Sequence, residues 1–233
     1  MLWLPTKPMF RWSAQPLHAW GALLDEQDIV LVGLAVQHSG DVRVVHCEQM
    51  QAPQGQALQA QRDDWLAQGL RALAPRVPPR QRTLALALGG QRCREGHWEG
   101  VHDPASDPAR TAKEAALAWG VDEAAVNFDY RIDSDGWRLS WAACLHHDLQ
   151  RWQSHARQAG WRIPVVEPAR QAALRAVVRQ CGDVLQPWAD APRDWRFRRD
   201  TETVRSAPDW AIFHSDPVAR PMAACGAALR GLL

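Results

Sequence analysis

The chain is poor in lysine, it contains no long apolar run, and it carries almost no net charge. No stretch approaches the roughly 20 apolar residues that a membrane-spanning helix requires, so the sequence predicts no transmembrane segment. The opening residues have neither an apolar core of signal-peptide length nor a small-residue cleavage site. The formal net charge of +1 excludes a whole-protein field that would steer the chain to nucleic acid or to an anionic membrane.

Disulfide bonds are also not expected. The cysteines are odd in number, widely spaced and mostly set in apolar sequence, which favours buried reduced thiols over a disulfide framework. We therefore expect a cytoplasmic protein. The five cysteines are Cys47, Cys93, Cys144, Cys181 and Cys225.

What the chain does have is the composition of a folded globular protein. It has 233 residues, of which 46% are hydrophobic and 23% charged, enough for one large domain or two small ones. Residues 1–27 mix three prolines with several tryptophans and predict an irregular arm that packs its aromatic side chains on the body. An alternative interpretation is that Leu2, Trp3, Leu4 and Phe10 of this arm contact a membrane.

The segment Val32–Val45, VGLAVQHSGDVRVV, predicts a β-hairpin. Its first half is a run of buried-type residues, a polar turn at His38–Asp41 follows, and alternating valines complete the second strand. Apolar residues at helical spacing then predict a helix over 56–74, and TLALAL at Thr83–Leu88 predicts a buried strand. The polar residues 91–107 predict a surface loop.

The second half of the chain predicts a compact α+β unit. Strands are expected at Ala124–Ile132 and Trp137–Leu145, joined by an Asp-Gly turn, which is a strong hairpin signal. Helices are expected at 109–119, 147–159 and 168–181, with a strand at 161–166 between the last two. The closing segment 218–233 is rich in small residues and predicts a helix that packs closely on a neighbour through Gly226.

These pieces, in this order, resemble the actin-like inner-membrane platform proteins of type IV pili, the PilM family. The resemblance is carried by the hairpin VGLAVQHSGDVRVV, by VNFDYRI at Val126–Ile132, by residues 137–176 with their order of strand, helix, strand and Ala-rich helix, and by ACGAALRGL at Ala224–Leu232.

The resemblance implies an α/β (α+β) protein with a reduced actin-like or ribonuclease-H-like fold. It implies an irregular arm (1–27), the first part of an actin-like lobe (28–80), an inserted α+β subdomain (81–166), and the rest of the lobe with an irregular loop and the closing helix (167–233). The second actin-like lobe of the family is largely missing, since only irregular sequence precedes the closing helix.

The resemblance also places a degenerate phosphate loop in the first hairpin. The acidic position of the family falls on Ala35, its glycine on Gln37 and its lysine most nearly on Arg43. A metal-bound phosphate needs a carboxylate for the Mg²⁺ shell and a glycine that the phosphate can approach closely. We therefore expect no ATP, no metal, no other cofactor and no catalytic residues.

The function implied is that of a cytoplasmic adaptor at the inner face of the cell membrane. The partner is expected to be the N-terminal cytoplasmic peptide of a single-span pilus platform protein, which supplies the contact with the membrane; a homo-oligomer is also possible. The resemblance places this peptide between the first lobe and the inserted unit, with Asp129, Tyr130 and Arg131 as candidate contacts. The alternative for Asp129 is that it only caps or salt-links a strand end.

Other functions are less well supported by the same residues. An actin-like ATPase or phosphotransferase would need clustered carboxylates, but Asp133 and Asp135 lie in a tight turn where aspartate is expected for turn geometry alone. A type II secretion scaffold would share the adaptor function.

Arg193–Arg199 interleave with aromatic residues and could contact single-stranded nucleic acid, although a solvated loop is favoured. His97, His102 and Cys93 match no zinc spacing, and His146–His147 is expected to cap and pack a helix.

Overall fold

The structure, a computed structural model, contains nine strands and five α-helices in the residues that it describes. The strands are β1 (His18–Leu24), β2 (Asp28–Val36), β3 (Val42–Gln51), β4 (Thr83–Leu88), β5 (Arg94–Glu99), β6 (Val126–Ile132), β7 (Arg138–Leu145), β8 (Arg162–Pro168) and β9 (Arg196–Phe197). The helices are α1 (Gln59–Leu73), α2 (Asp107–Trp119), α3 (His146–Gln158), α4 (Ala169–Arg179) and α5 (Ala219–Arg230). The described residues are 18–26, 28–37, 39–51, 59–100, 103, 106–132, 136–181, 192–198 and 219–232.

Six strands form one mixed sheet in the order β8-β4-β1-β2-β3-β9. The strands β1, β2 and β3 are consecutive and antiparallel, whereas β4 and β8 run parallel to β1. The parallel strands β1, β4 and β8 therefore end at one common edge of the sheet. The predicted α/β fold class is confirmed.

The two faces of this sheet are covered by helices of different composition. Successive side chains of a strand point to opposite faces, so β1 places Ala19 and Leu23 on one face and Trp20 and Leu24 on the other. The first face packs on the alanine-rich helices α4 and α5, and the second packs on α1 and α3 with their leucine and tryptophan side chains. The sheet therefore lies between two hydrophobic clusters, one on each of its faces.

The helix α5 lies unusually close to its neighbours. A β-carbon at Gly226 would be 1.6 Å from the carbonyl oxygen of Ala172 in α4, and one at Gly21 would be 2.2 Å from the carbonyl oxygen of Ala224. Only glycine leaves room for a backbone contact at these two positions. The predicted close-packed closing helix is confirmed.

The strands β5, β7 and β6 form a second sheet, with β7 in the middle. One face of it packs on α2 around Leu139, Trp141 and Ala143. This small sheet with α2 is the inserted unit, and it occupies residues 94–145. The predicted bounds of 81–166 were too wide, because β4 and β8 belong to the large sheet and α3 packs in the core of the main lobe.

Three strands were not expected from the sequence: β1, β5 and the two-residue strand β9. The strand β1 lies at the centre of the large sheet, so the prediction of an irregular arm over 1–27 is wrong for 18–24; residues 1–17 lie outside the described residues. The strand β1 is buried on both faces, so its sequence lacks the alternation of apolar and polar residues that would have predicted a strand. The strand β5 replaces part of the predicted loop 91–107, and its alternation escaped notice because its residues are mostly polar.

The basic and aromatic residues near 193–199 also differ from the expectation of a solvated loop. Trp195 and Phe197 are buried in the core beside β3, and β9 pairs with Val42 and Arg43. The aromatic rings are therefore core residues and cannot serve as stacking platforms for nucleic acid bases.

Candidate functional site

A groove separates the sheet of the inserted unit from the main lobe. Its first part is a cleft of about 360 Å³ that lies beyond the ends of β4 and β8, where Leu88 and Pro168 form part of its floor. The strands β6 and β7 form one wall, and the beginning of α4 forms the opposite side. This part of the lining includes several apolar side chains, among them Leu88, Ala142, Cys144, Leu149 and Val166.

Strand register determines which side chains of the small sheet face the groove. Asp129 of β6 lies opposite Ala142 of β7, which lies opposite Glu95 of β5. Residues directly opposite one another project to the same face. Since Trp141 and Ala143 pack toward α2, the row of Asp129, Ala142 and Glu95 projects away from α2 and toward the groove.

The next row on the same face carries the other polar groups. It consists of Arg131, Ser140 and His97, again paired in register across the three strands. Arg138 lies two residues from Ser140 on β7 and therefore shares this face. The inserted sheet is thus apolar toward α2 and polar toward the groove.

All three residues predicted to contact a partner line this groove, but they differ in orientation. Asp129 and Arg131 are exposed and lie on its polar face. The carboxylate of Asp129 also accepts a hydrogen bond from the backbone N–H of Tyr130 at 2.9 Å, so part of its capacity is used locally. The ring of Tyr130 packs with the apolar cluster on α2, which makes it the least suited of the three to contact a ligand.

The groove continues into a second cleft of about 540 Å³ between the inserted sheet and α4. The two clefts share Arg131, Ser140, Trp141 and Gln171, so they are contiguous. The helix α4 contributes residues at spacings of three and four, with its alanines packed on the core instead. Its groove side consists of Arg170, Gln171, Leu174, Arg175, Val178 and Arg179.

A buried ion-pair network supports the base of the groove. Glu167, at the end of β8, has a side chain only 2% exposed and binds Arg175 of α4 through two contacts of 2.6 and 2.7 Å. Arg230 of α5 binds the same carboxylate at 3.0 Å, and Arg175 also donates to the carbonyl oxygen of Gly226. This carboxylate therefore joins three elements and is already neutralised.

The thiols that line the first cleft are not poised as nucleophiles. Burial, with the nearby carboxylate of Glu95, raises the pKa of Cys93 to about 12, and burial raises the pKa of Cys144 to about 11. Both thiols are therefore protonated near neutral pH, and a thiol rather than a thiolate is a poor nucleophile and metal ligand.

Histidines near the groove do not assemble a metal site. His146 contacts the side-chain amides of Asn127 and Gln150, and His147 lies 3.3 Å from a carboxylate oxygen of Asp148. Neither histidine caps α3, contrary to the prediction. Within the described part of the chain, no group of three histidine, cysteine or acidic residues is arranged to hold a metal ion; His102, Asp133 and Asp135 lie outside it.

The first hairpin of the fold lies elsewhere than predicted. The segment Val32–Val45 does contain a hairpin, but it joins β2 to β3, whereas the first hairpin joins β1 to β2 through Asp25–Asp28. The segment Val32–Val45 is therefore not the first hairpin, and the assignment of a degenerate phosphate loop to Ala35, Gln37 and Arg43 stays a prediction. Ala35 is paired between β1 and β3, away from the β1–β2 turn.

The turn at Asp25–Asp28 carries acidic side chains that sequence reasoning missed. Asp28 is buried and pairs with Arg220 of α5, which also lies 3.7 Å from Asp25. The carboxylate of Glu26 accepts a hydrogen bond from the backbone N–H of Gln91 at 3.0 Å. The position of this turn in the sequence, directly after the first buried strand, could have located it.

These residues do not fit a Mg²⁺-bound phosphate. Mg²⁺ needs carboxylate oxygens that are open to it and to its waters. Here an arginine lies between Asp25 and Asp28, and the turn itself contains no glycine that would let a phosphate approach its backbone.

The strand order, with three antiparallel strands followed by parallel β4 and β8, and the unit inserted between those two strands define a reduced actin-like fold. It is reduced because the segment between α4 and α5 contributes only β9 and a short helical turn to the described residues.

Solved structures are similar to this chain at low sequence identity. A PilM-PilN type IV pilus biogenesis complex aligns at 16% identity and a TM-score of 0.53, over 69% of this chain but only 50% of that chain. The cytoplasmic domain of EpsL, an inner-membrane component of the type II secretion system of Vibrio cholerae, aligns at 11% identity and a TM-score of 0.47, over 66% and 58% of the two chains. No family model and no curated protein matches the chain.

The described helices include none that is both long enough and apolar enough to cross a membrane.

Proposed function

We propose that this protein is an adaptor of a type IV pilus assembly platform, and that it holds the cytoplasmic tail of a single-span membrane protein in the groove between its main lobe and its inserted unit. The observation that carries the proposal is the open groove itself, which is lined along one side by β6. Within the described residues β6 is an edge strand of its sheet, and an edge strand offers backbone groups for pairing with an extended peptide.

The chemistry of the groove supports binding rather than catalysis. Its buried carboxylate, Glu167, is neutralised by two arginines, and its two thiols are protonated near neutral pH. General acid–base or nucleophilic catalysis would need a group whose charge state is poised to change near the working pH. The partner tail would attach the protein to the inner face of the cell membrane.

We further propose that the protein uses no nucleotide. Arg220 occupies the place between Asp25 and Asp28 where a metal ion would need open carboxylates. Calorimetry with ATP and Mg²⁺ is expected to give no binding heat. Tight, Mg²⁺-dependent binding would contradict this part of the proposal and would favour the ATPase alternative.

Titration with a synthetic tail peptide tests the adaptor proposal. The peptide would be taken from a single-span protein encoded beside this chain, and its binding measured by fluorescence anisotropy. Ala142→Trp places a large side chain on the groove face and should abolish binding. Ala118→Trp, on the exposed face of α2, is the matched control and should leave binding unchanged. A well-folded protein that binds none of the tails from such neighbours would contradict the proposal.

A further inference from the structure

The second cleft of the groove is lined by an excess of positive charge. Five arginines line it, against one glutamate and one histidine. Arg175 binds Glu167, and Arg179 is buried. The other three, Arg131, Arg138 and Arg170, have exposed side chains.

These three arginines lie on both walls of the cleft. Arg131 and Arg138 project from the groove face of the inserted sheet, and Arg170 projects from the beginning of α4 on the opposite wall. A guanidinium group binds a carboxylate through two parallel N–H donors. A carboxylate side chain between the walls can therefore reach arginine donors from either side.

The first cleft differs in character, because its floor includes several apolar side chains. Leu88, Leu149 and Val166 come from the main lobe, and Ala142 and Cys144 face them from the inserted sheet. A ligand that occupies both clefts therefore meets an apolar surface at one end and arginine side chains at the other.

The dimensions of the groove match a short extended segment. The helix α4 has 11 residues and is about 16 Å long. An extended chain advances about 3.3 Å per residue, so about five residues span the arginine-lined part.

We infer that the segment bound in this groove is an extended peptide in which an apolar stretch is followed or preceded by acidic residues, with the acidic side chains held by Arg131, Arg138 and Arg170. The inference rests on the proposed adaptor function and specifies the chemistry of the tail. A nucleic acid fits less well, because Trp141 is the one aromatic ring shared by both clefts and it is buried against Gly96 and α2.

Selection from random peptides tests this inference and does not require the partner to be identified first. The probe is a phage-displayed library of random peptides of about twelve residues, which exceeds the span of the groove. Selection on the intact chain, followed by counter-selection on Ala142→Trp, isolates peptides that need the groove. The expected peptides combine apolar and acidic residues, and their affinity falls as the salt concentration rises.

Charge reversal identifies the residues that hold the acidic side chains. Arg138→Glu/Arg170→Glu should weaken the selected peptides by about tenfold or more, because attraction becomes repulsion at two positions. The control Arg71→Glu/Arg76→Glu makes the same charge change on exposed residues away from the groove and should have little effect. Arg138→Lys/Arg170→Lys keeps the positive charges but removes the paired N–H donors of the guanidinium groups, and it should weaken binding less than charge reversal does. This variant serves as a second test of the arginines in case the charge-reversed variant misfolds.

The other outcomes overturn the inference in distinguishable ways. Groove-dependent peptides without acidic residues, unaffected by charge reversal, would overturn the acidic tail but leave the adaptor function in place. Failure to select any groove-dependent peptide would overturn both. Binding of a single-stranded oligonucleotide that the charge reversal abolishes would overturn the inference in favour of a nucleic acid ligand.

Discussion

Two regions at one edge of the large sheet differ in whether a ligand can reach them. The parallel strands β1, β4 and β8 all end at this edge, where ligands commonly bind in α/β sheets. Beyond β1 and β4, the turn at Asp25–Asp28 is sealed by Arg220 of α5. Beyond β4 and β8, the groove stays open, with arginines that face solvent.

The helix α5 determines which of the two regions is available. It supplies Arg220 near its beginning to the turn and Arg230 at its end to Glu167. A cation near a helix N-terminus is disfavoured by the helix dipole, so the position of Arg220 depends on its carboxylate partners. The charges of the sealed region stabilise the fold, whereas the exposed arginines of the groove are accessible to a ligand. Four experiments test this division.

The largest effect is expected where α5 crosses α4. Gly226→Ala places a methyl group against the backbone of Ala172, which cannot yield as a side chain could. We expect a loss of about 3 kcal/mol or more in the free energy of unfolding, the upper range for overpacking. Urea denaturation followed by circular dichroism measures it, with Lys113→Ala on the exposed face of α2 as the control. A loss below about 1 kcal/mol would mean that the two helices can separate at little cost.

Glu167→Gln removes the carboxylate that three elements share. Breaking a buried ion pair typically costs about 3–5 kcal/mol, but the arginine partners are partly exposed, so we expect about 2–3 kcal/mol. The side chain of Arg175 is 19% exposed and that of Arg230 is 45% exposed. Glu123→Gln, at an exposed position, is the matched control. If both variants unfold alike, Glu167 is not a structural charge and would be available to a ligand.

A double-mutant cycle across the sealed turn should show a smaller coupling. Arg220→Met leaves Asp28 buried without its arginine, and we expect a loss of about 1–2 kcal/mol. Asp28→Asn combined with Arg220→Met should recover part of this loss, because the uncompensated charge is removed as well. Unfolding of all four proteins in urea gives the coupling energy. Additive losses would contradict this expectation, since the turn would then not be held by this pair.

The sequence predicted most of the elements because their patterns are local. The strand at Thr83–Leu88, the helices and the hairpin of the inserted unit all follow from periodicity and turn residues. The strand β1 was hidden because it is short, contains Gly21 and is buried on both sides of the sheet. The candidate partner contacts Asp129 and Arg131 were placed at the groove by family resemblance rather than by pattern.

The ion pairs that block the turn and support the base of the groove could not be predicted from the sequence. Arg220 pairs with Asp28, which lies 192 residues away in the sequence, and Arg230 pairs with Glu167, which lies 63 residues away. Neither spacing has a local signature. The role of α4 as a wall of the groove was also missed, although its alternation of alanines with Leu174 and Val178 already indicated two different faces.

The smallest effect on stability is expected in the groove. Arg138→Ala and Arg170→Ala remove exposed side chains, and exposed charges contribute little to folding because water and salt screen them. Each variant should unfold within about 0.5 kcal/mol of the original chain, in the same urea experiment used for Glu167→Gln. A loss as large as that of Glu167→Gln would show that these arginines hold the inserted unit on the main lobe. Unchanged stability together with weaker peptide binding would show that these arginines contribute to peptide recognition and not to folding. The charges at the Asp25–Asp28 turn are expected to behave differently, because they stabilise the fold.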